Sequence, residues 1–263
     1  MTKICAFGAL ILLALFALHQ NIIPSFFLLK AEENAKWSST TSEEDLQKAK
    51  EILGRPFKFL GLGSQCYAFI SEDENYVIKI CKATRYRPLS NPKKKEYKEA
   101  DFISYSLAFN IIPAQSQITF LHLNKTNTLN TTLKIIDPLG LPHFLNTDHL
   151  AFYIQKKAIP LSDYLKDIPP SETRSFTRKL LNLYQSSCQA GLHVRDIQAK
   201  NIGVFKDSPL WIDTGRIRKK PTLIDKEEQE NALRKFSSRI EPFLKSFDPN
   251  FQVLLEEELE QAF

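Results

Sequence analysis

Cysteine is scarce: the chain of 263 residues has Cys5, Cys66, Cys81 and Cys188 and no others. Four scattered thiols do not predict a disulfide framework, and no Cys/His spacing of the zinc type occurs. Charge of one sign is also lacking. The formal net charge is +5, a mild excess that does not call for a nucleic-acid partner. No internal repeat is visible, which sets solenoids and propellers aside. Nor does the amino terminus offer the small residues that a signal-peptide cleavage site needs.

What the chain does have is apolar material, 43% of its residues, enough for one domain with a sizeable core. Lysine and arginine gather at Lys93-Lys94-Lys95 and along 216–220. A solvated helix start and a surface loop account for both clusters, and acidic lipid head groups or nucleic acid are the alternative partners. At the amino end, 4–18 is an unbroken apolar run behind Lys3. His19-Gln20-Asn21 interrupts it, and 22–29 resumes it around Pro24. Fifteen helical residues reach only about 22 Å, short of a hydrocarbon core of roughly 30 Å, whereas the run to Leu29 reaches across. Residues 1–29 are therefore expected to be a hydrophobic helix that anchors the chain in a membrane, with export after signal cleavage as the alternative. Residues 30–56 follow as a polar linker and a short helix, capped by Ser42 and stopped at Gly54.

The densest chemistry lies in the last third, in Val194-Arg195-Asp196-Ile197-Gln198-Ala199-Lys200-Asn201 and Ile212-Asp213-Thr214-Gly215. Between Asn201 and Asp213, two apolar β-type runs flank Lys206-Asp207-Ser208-Pro209, so the segment reads as a hairpin. Such a hairpin brings Asn201 and Asp213 to one end, where two oxygen donors could hold a hard cation such as Mg²⁺. Asp196 stands just before them, free to orient a nucleophile. The plain alternative is that these Asx residues are turn and cap residues.

Upstream, Gly61 and Gly63 sit between apolar runs, and Glu72-Asp73-Glu74-Asn75 leads into Tyr76-Val77-Ile78-Lys79-Ile80-Cys81. Glycines let backbone N–H groups approach a phosphate closely. A lysine inside an apolar strand calls for an anionic partner, or snorkels to water from a sheet edge. The segment 93–110 reads as a helix carrying Glu99, with Glu96 one turn earlier as the other candidate partner.

In this order the pieces resemble the protein-kinase-like superfamily, over 57–215. The resemblance implies that Gly61 and Gly63 form the glycine-rich loop and that Lys79 holds the nucleotide phosphates, paired with Glu99. It implies that Asp196 is the catalytic base and that Asn201 and Asp213 bind the metal. Cys66 replaces a third loop glycine, Val194 the usual histidine (His193 is displaced by one), and Thr214 the aromatic before Gly215. Gln198 stands where a lysine is common, and Lys200 is placed to supply that charge. The implied fold is α+β and bilobal. Its N-lobe, 57–154, is an antiparallel sheet with one helix, and its reduced helical C-lobe is 155–263. The short stretch after Gly215, without Ala-Pro-Glu, is similar to small bacterial kinases of non-protein acceptors such as the lipopolysaccharide-core sugar kinases. The implied activity is transfer of the γ-phosphate of ATP, with Mg²⁺, to a hydroxyl of a sugar, lipid-linked sugar or protein. The alternative is a membrane-anchored pseudokinase that binds or scaffolds.

Remaining segments read simply. Strands are expected over 115–123 and 149–154, a surface loop over 124–132, and a hinge at 155–158. A helix opens at Pro170, buries Phe176, Leu180, Leu183, Tyr184 and Cys188, and stops at Gly191. Helices are expected over 226–240 and 249–262, with Glu256-Glu257-Glu258 as a solvated face.

Overall fold

A computed structural model describes residues 28–38, 41–88, 90–247 and 249–262. The apolar segment expected as an anchor therefore lies outside the described residues, apart from its last two. Among the described residues no helix is long and apolar enough to cross a membrane. Besides the single turns Ala83–Tyr86 and Pro113–Ser116, the α-helices are α1 (Glu43–Leu53), α2 (Pro92–Asn110), α3 (Leu161–Asp167), α4 (Thr173–Gln189), α5 (Lys226–Lys245) and α6 (Phe251–Ala262). The strands are β1 (Phe57–Leu62), β2 (Cys66–Ser71), β3 (Tyr76–Cys81), β4 (Ile118–His122), β5 (Thr132–Ile136), β6 (Pro142–Asn146) and β7 (Phe152–Lys156). Then come β8 (Ile159–Pro160), β9 (Leu192–Val194), β10 (Ile202–Phe205), β11 (Ser208–Trp211) and β12 (Ile217–Lys219). The class is α+β. The chain divides into two units, one holding the residues to Lys95 with His122–Ile154, the other Glu96–Leu121 with Gln155–Phe263.

The larger sheet has the order β4-β7-β3-β2-β1-β5-β6, and its strands β1, β2, β3, β5 and β6 lie wholly in the first unit. Its central hairpins are antiparallel, while β1 runs parallel to β5, with Phe57 opposite Ile135. The hairpin of β5 and β6 is absent from the sequence reading. It turns through Asp137, whose Oδ1 accepts from the N–H groups of Leu139 and Leu141, both at 2.9 Å. Helix α1 forms as expected: Ser42 Oγ accepts from Asp45 N at 3.1 Å, and Gly54 ends it. The residues where the expected anchor meets the expected linker pack into the fold. Leu28, Leu29 and Ala31 are buried. Leu29 donates to Cys81 O at 2.7 Å and accepts from Ala151 N at 3.0 Å. Backbone polar groups beside buried apolar side chains need partners, and the sheet supplies them, so this strap is part of the fold.

The second unit packs α4 against its hairpin and its tail helices. Phe176, Leu180, Leu183, Tyr184 and Cys188 are buried, as the periodicity predicts, and Gly191 takes φ 67° where a left-handed residue must follow the helix. Tyr184 stacks on Phe236 of α5, centroids 4.9 Å apart, and Trp211 meets both edge-on. The reading of Glu256-Glu257-Glu258 as a solvated face needs correction at Glu258. Glu258 is buried, and Arg178 of α4 bonds it through Nε and Nη2, at 2.5 and 2.9 Å. Phe251, Leu255 and Leu259 recur at helical spacing, which turns the neighbouring Glu258 inward.

Candidate functional site

Asp196, Asn201 and Asp213 all lie in the second unit. Lys206 and Asp207 take φ 49° and 57°, the pair of left-handed residues that a two-residue hairpin turn requires. The turn is tighter than the sequence reading has it, and Ser208 and Pro209 already belong to β11. Register then places Ile202 opposite Trp211. One step further, Asn201 O accepts from Ile212 N at 2.9 Å and from Asp213 N at 3.5 Å. Asn201 and Asp213 thus share the open end of the hairpin.

Asn201 is buried, and its Nδ2 donates to Asp196 O at 3.0 Å. A carbonyl accepts only, so this bond fixes which end of the amide is which and directs Oδ1 away from Asp196 O. Gln198 Nε2 donates to Asp196 Oδ1 at 2.6 Å. Asp213 is exposed, and its Oδ1 accepts from Gly215 N at 3.0 Å. The turn role expected of an Asx residue is therefore real, and it occupies one of two carboxylate oxygens. Lys200 lies exposed in the single helical turn Ala199–Asn201.

Two devices hold this ribbon. Strands β9 and β12 pair, Ile217 opposite Val194 and Arg218 opposite His193, and Arg195 N donates to Arg216 O at 3.1 Å. The chain before Asp196 is thereby tied to the chain after Gly215. The second device was not legible from sequence: Ser104, fully buried on α2, donates to Thr214 O at 2.6 Å and accepts from Ile217 N. A hydroxyl among the buried Phe102, Tyr105, Leu107 and Ala108 was the available signal. Gln155, in the expected hinge, donates to Ser116 O and to Trp211 O, the latter at 2.9 Å. Val194 and Thr214, which depart from the kinase pattern, are both buried.

Positive charge gathers around His193 of β9. Burial pushes the His193 imidazolium pKa down, and Lys220, Arg195, Lys235 and Arg239 push it further the same way. Burial also lowers Arg218, where Asp101 supports the charge and Arg195 and Arg216 oppose it.

The other predicted residues divide between the two units. In the first unit, Gly61 lies in β1 opposite Ala68, and Gly63 follows it, with Gly63 N donating to Cys66 O at 2.9 Å. A Cβ at Gly61 would meet nothing within 4 Å, and one at Gly63 only Cys66 O at 3.8 Å. Lys79 is in β3, which has β2 and β7 on its two sides, so it is not an edge lysine. Its Nζ lies 5.5 Å from the Tyr153 ring centroid. Cys66 and Cys81 pair across β2 and β3 with sulfurs 3.8 Å apart, both free thiols. Glu99 and Glu96 are on the part of α2 that belongs to the second unit, Glu99 half-buried and Glu96 exposed. Among the described residues no group of three or more His, Cys, Asp or Glu gathers as a metal site.

No protein-family model matches the chain, and no curated protein does. Among solved structures it is similar to the bifunctional kinase-methyltransferase WbdD, at 15% identity and a TM-score of 0.44. The match covers 76% of this chain and 43% of that one, so this chain spans less than half the length of WbdD.

Proposed function

We propose that the chain is an ATP-dependent phosphotransferase acting on a hydroxyl acceptor. The carrying observation is the junction of Asp196, Asn201 and Asp213: one residue's backbone ties the hairpin end, and its amide ties the aspartate before it. Both Asn201 and Asp213 offer oxygen. That donor chemistry fits a hard divalent cation such as Mg²⁺, which keeps several waters and takes phosphate oxygens besides one or two protein ligands. When bound, such a cation would neutralise charge on the transferred phosphoryl group.

The chain's own residues do the rest. Asp196, held by Gln198 through one oxygen, is placed to accept the acceptor's proton at the other. Lys79 contributes positive charge toward the nucleotide phosphates, with Glu99 as its partner in this reading. Gly61 and Gly63 favour close approach of a ligand, because neither a positive φ nor a crowding neighbour explains glycine there. Lys200 is the candidate charge beside the base. A membrane anchor over 1–29, or export after cleavage, belongs to the same proposal.

The test is turnover of radiolabelled ATP by the full chain with Mg²⁺, beside Asp196→Ala. Loss of transfer with ATP binding intact supports the reading; transfer by the variant contradicts it. The second reading, a pseudokinase scaffold, is favoured by Cys66, Val194 and Thr214. It predicts ATP-dependent stabilisation with no turnover on any acceptor.

A further inference from the structure

The surface cations of the second unit divide into two kinds. Some have carboxylate partners: Lys166 with Asp163, Arg174 with Glu257, Lys220 with Glu228, Arg234 with Glu230 and Lys245 with Glu241; others, such as Lys179, Lys200, Lys206 and Lys219, are exposed and form no ion pair among the described residues. Arg195, Arg216, Lys235 and Arg239 are exposed. Among the described residues none of these four forms an ion pair. They are also gathered. Arg195 N bonds Arg216 O, Arg239 Nη1 donates to Arg195 O at 3.3 Å, and Lys235 lies one turn before Arg239 on α5.

The contrast falls within one helix. On α5, Arg234 and Lys245 each follow a glutamate by four residues. Lys235 and Arg239 instead follow each other at that spacing, and like charges so placed destabilise a helix. A cluster that costs stability and has no internal counter-ion is suited to an external anion. Its position narrows which anion: Arg195 precedes Asp196 in the chain, and Arg216 follows Asp213 by three residues. Three guanidinium forks and an ammonium suit phosphate groups, which arginine binds through paired bonds.

We propose that Arg195, Arg216, Lys235 and Arg239 form an anion subsite beside Asp196 that holds a phosphate-bearing acceptor. Its role as an acceptor subsite rests on the phosphotransferase reading; the binding of phosphate does not. The acceptor would present a free hydroxyl toward Asp196 while phosphate groups it already carries are held by the cluster.

The experiment uses the full chain without nucleotide or divalent cation. Two probes are titrated: glucose 1,6-bisphosphate, and phosphatidylcholine vesicles with and without phosphatidylglycerol. The bisphosphate arm reports a soluble phosphorylated sugar, the vesicle arm a lipid head group. The expected result is binding in one arm at least, weakened roughly tenfold or more in the Lys235→Gln/Arg239→Gln double variant, as loss of charge-assisted bonds implies. The double variant should melt no lower than the parent, since it removes a repulsive pair. The proposal is overturned if neither probe binds, if the double variant binds as well as the parent, or if vesicles bind regardless of phosphatidylglycerol while the bisphosphate does not. ATP-dependent stabilisation, measured separately, reports on the phosphotransferase reading, so the two can fail independently.

Discussion

Asp196 has both a positioning partner on its side chain and a bond from Asn201 at its backbone, which separates two kinds of variant. Asp196→Asn keeps the size and removes the proposed base; on the phosphotransferase reading, phosphoryl transfer should fall by about 10²–10⁴-fold, while a thermal shift caused by ATP and Mg²⁺ should persist. Asp148 gives a pH prediction. It is buried in the first unit and accepts from Thr126 Oγ1, from Asn130 N at 2.8 Å and from Leu129 N at 3.0 Å. Burial alone would raise its pKa, but these bonds and nearby His122 hold it below the ordinary value. A folded-state pKa below the unfolded value of about 3.9 stabilises fully above that pH, and the contribution fades as pH falls through the folded value. Acid unfolding followed by circular dichroism should therefore be less steep in Asp148→Asn below about pH 4; an unchanged profile would show that the network adds nothing. That Asn201 and Asp213 share one hairpin end was legible, because turn chemistry between two apolar runs is a local signal. Ser104 was not, because its partners are backbone groups 110 and 113 residues away.

At the scale of elements, β10 depends on Gly203. A Cβ there would lie 2.7 Å from both Ala158 Cβ and Ile212 Cγ2, and 3.1 Å from Ile159 O. Gly203→Ala should cost about 1–3 kcal/mol, the scale of overpacking, read as a lower urea midpoint with the m-value unchanged. Helix α6 is held by its apolar stripe and by Glu258, so Glu258→Ala should lower the melting temperature and speed amide exchange across 251–262. Exchange as slow as the parent's would mean the stripe suffices. The helices α1, α4 and α5 could be read from caps and 3.6-residue periodicity, because those signals are local. The hairpin of β5 and β6 and the inward turn of Glu258 escaped, since each is settled by a partner distant in sequence: β1 for the first, Arg178 for the second.

On the scale of the whole molecule, composition and motif order indicated an α+β chain in two parts. By its contacts the chain divides into a unit that includes His122–Ile154 and one that joins Glu96–Leu121 to Gln155–Phe263. That grouping follows tertiary bonds such as Ser104 to Thr214, which periodicity cannot reveal. The strap at Leu28 was likewise invisible, because apolar residues next to a membrane-like run read as more of the run. The central claim, a metal-dependent nucleotide site that includes Asp213, is tested most directly by thermal unfolding of the full chain with and without ATP and Mg²⁺, beside Asp213→Ala. A ligand confined to the native state adds about 2.7 kcal/mol at a hundredfold excess over its dissociation constant. The account predicts a rise in melting temperature that requires Mg²⁺ and disappears in Asp213→Ala; a folded parent that shows no shift at saturating ATP would contradict it.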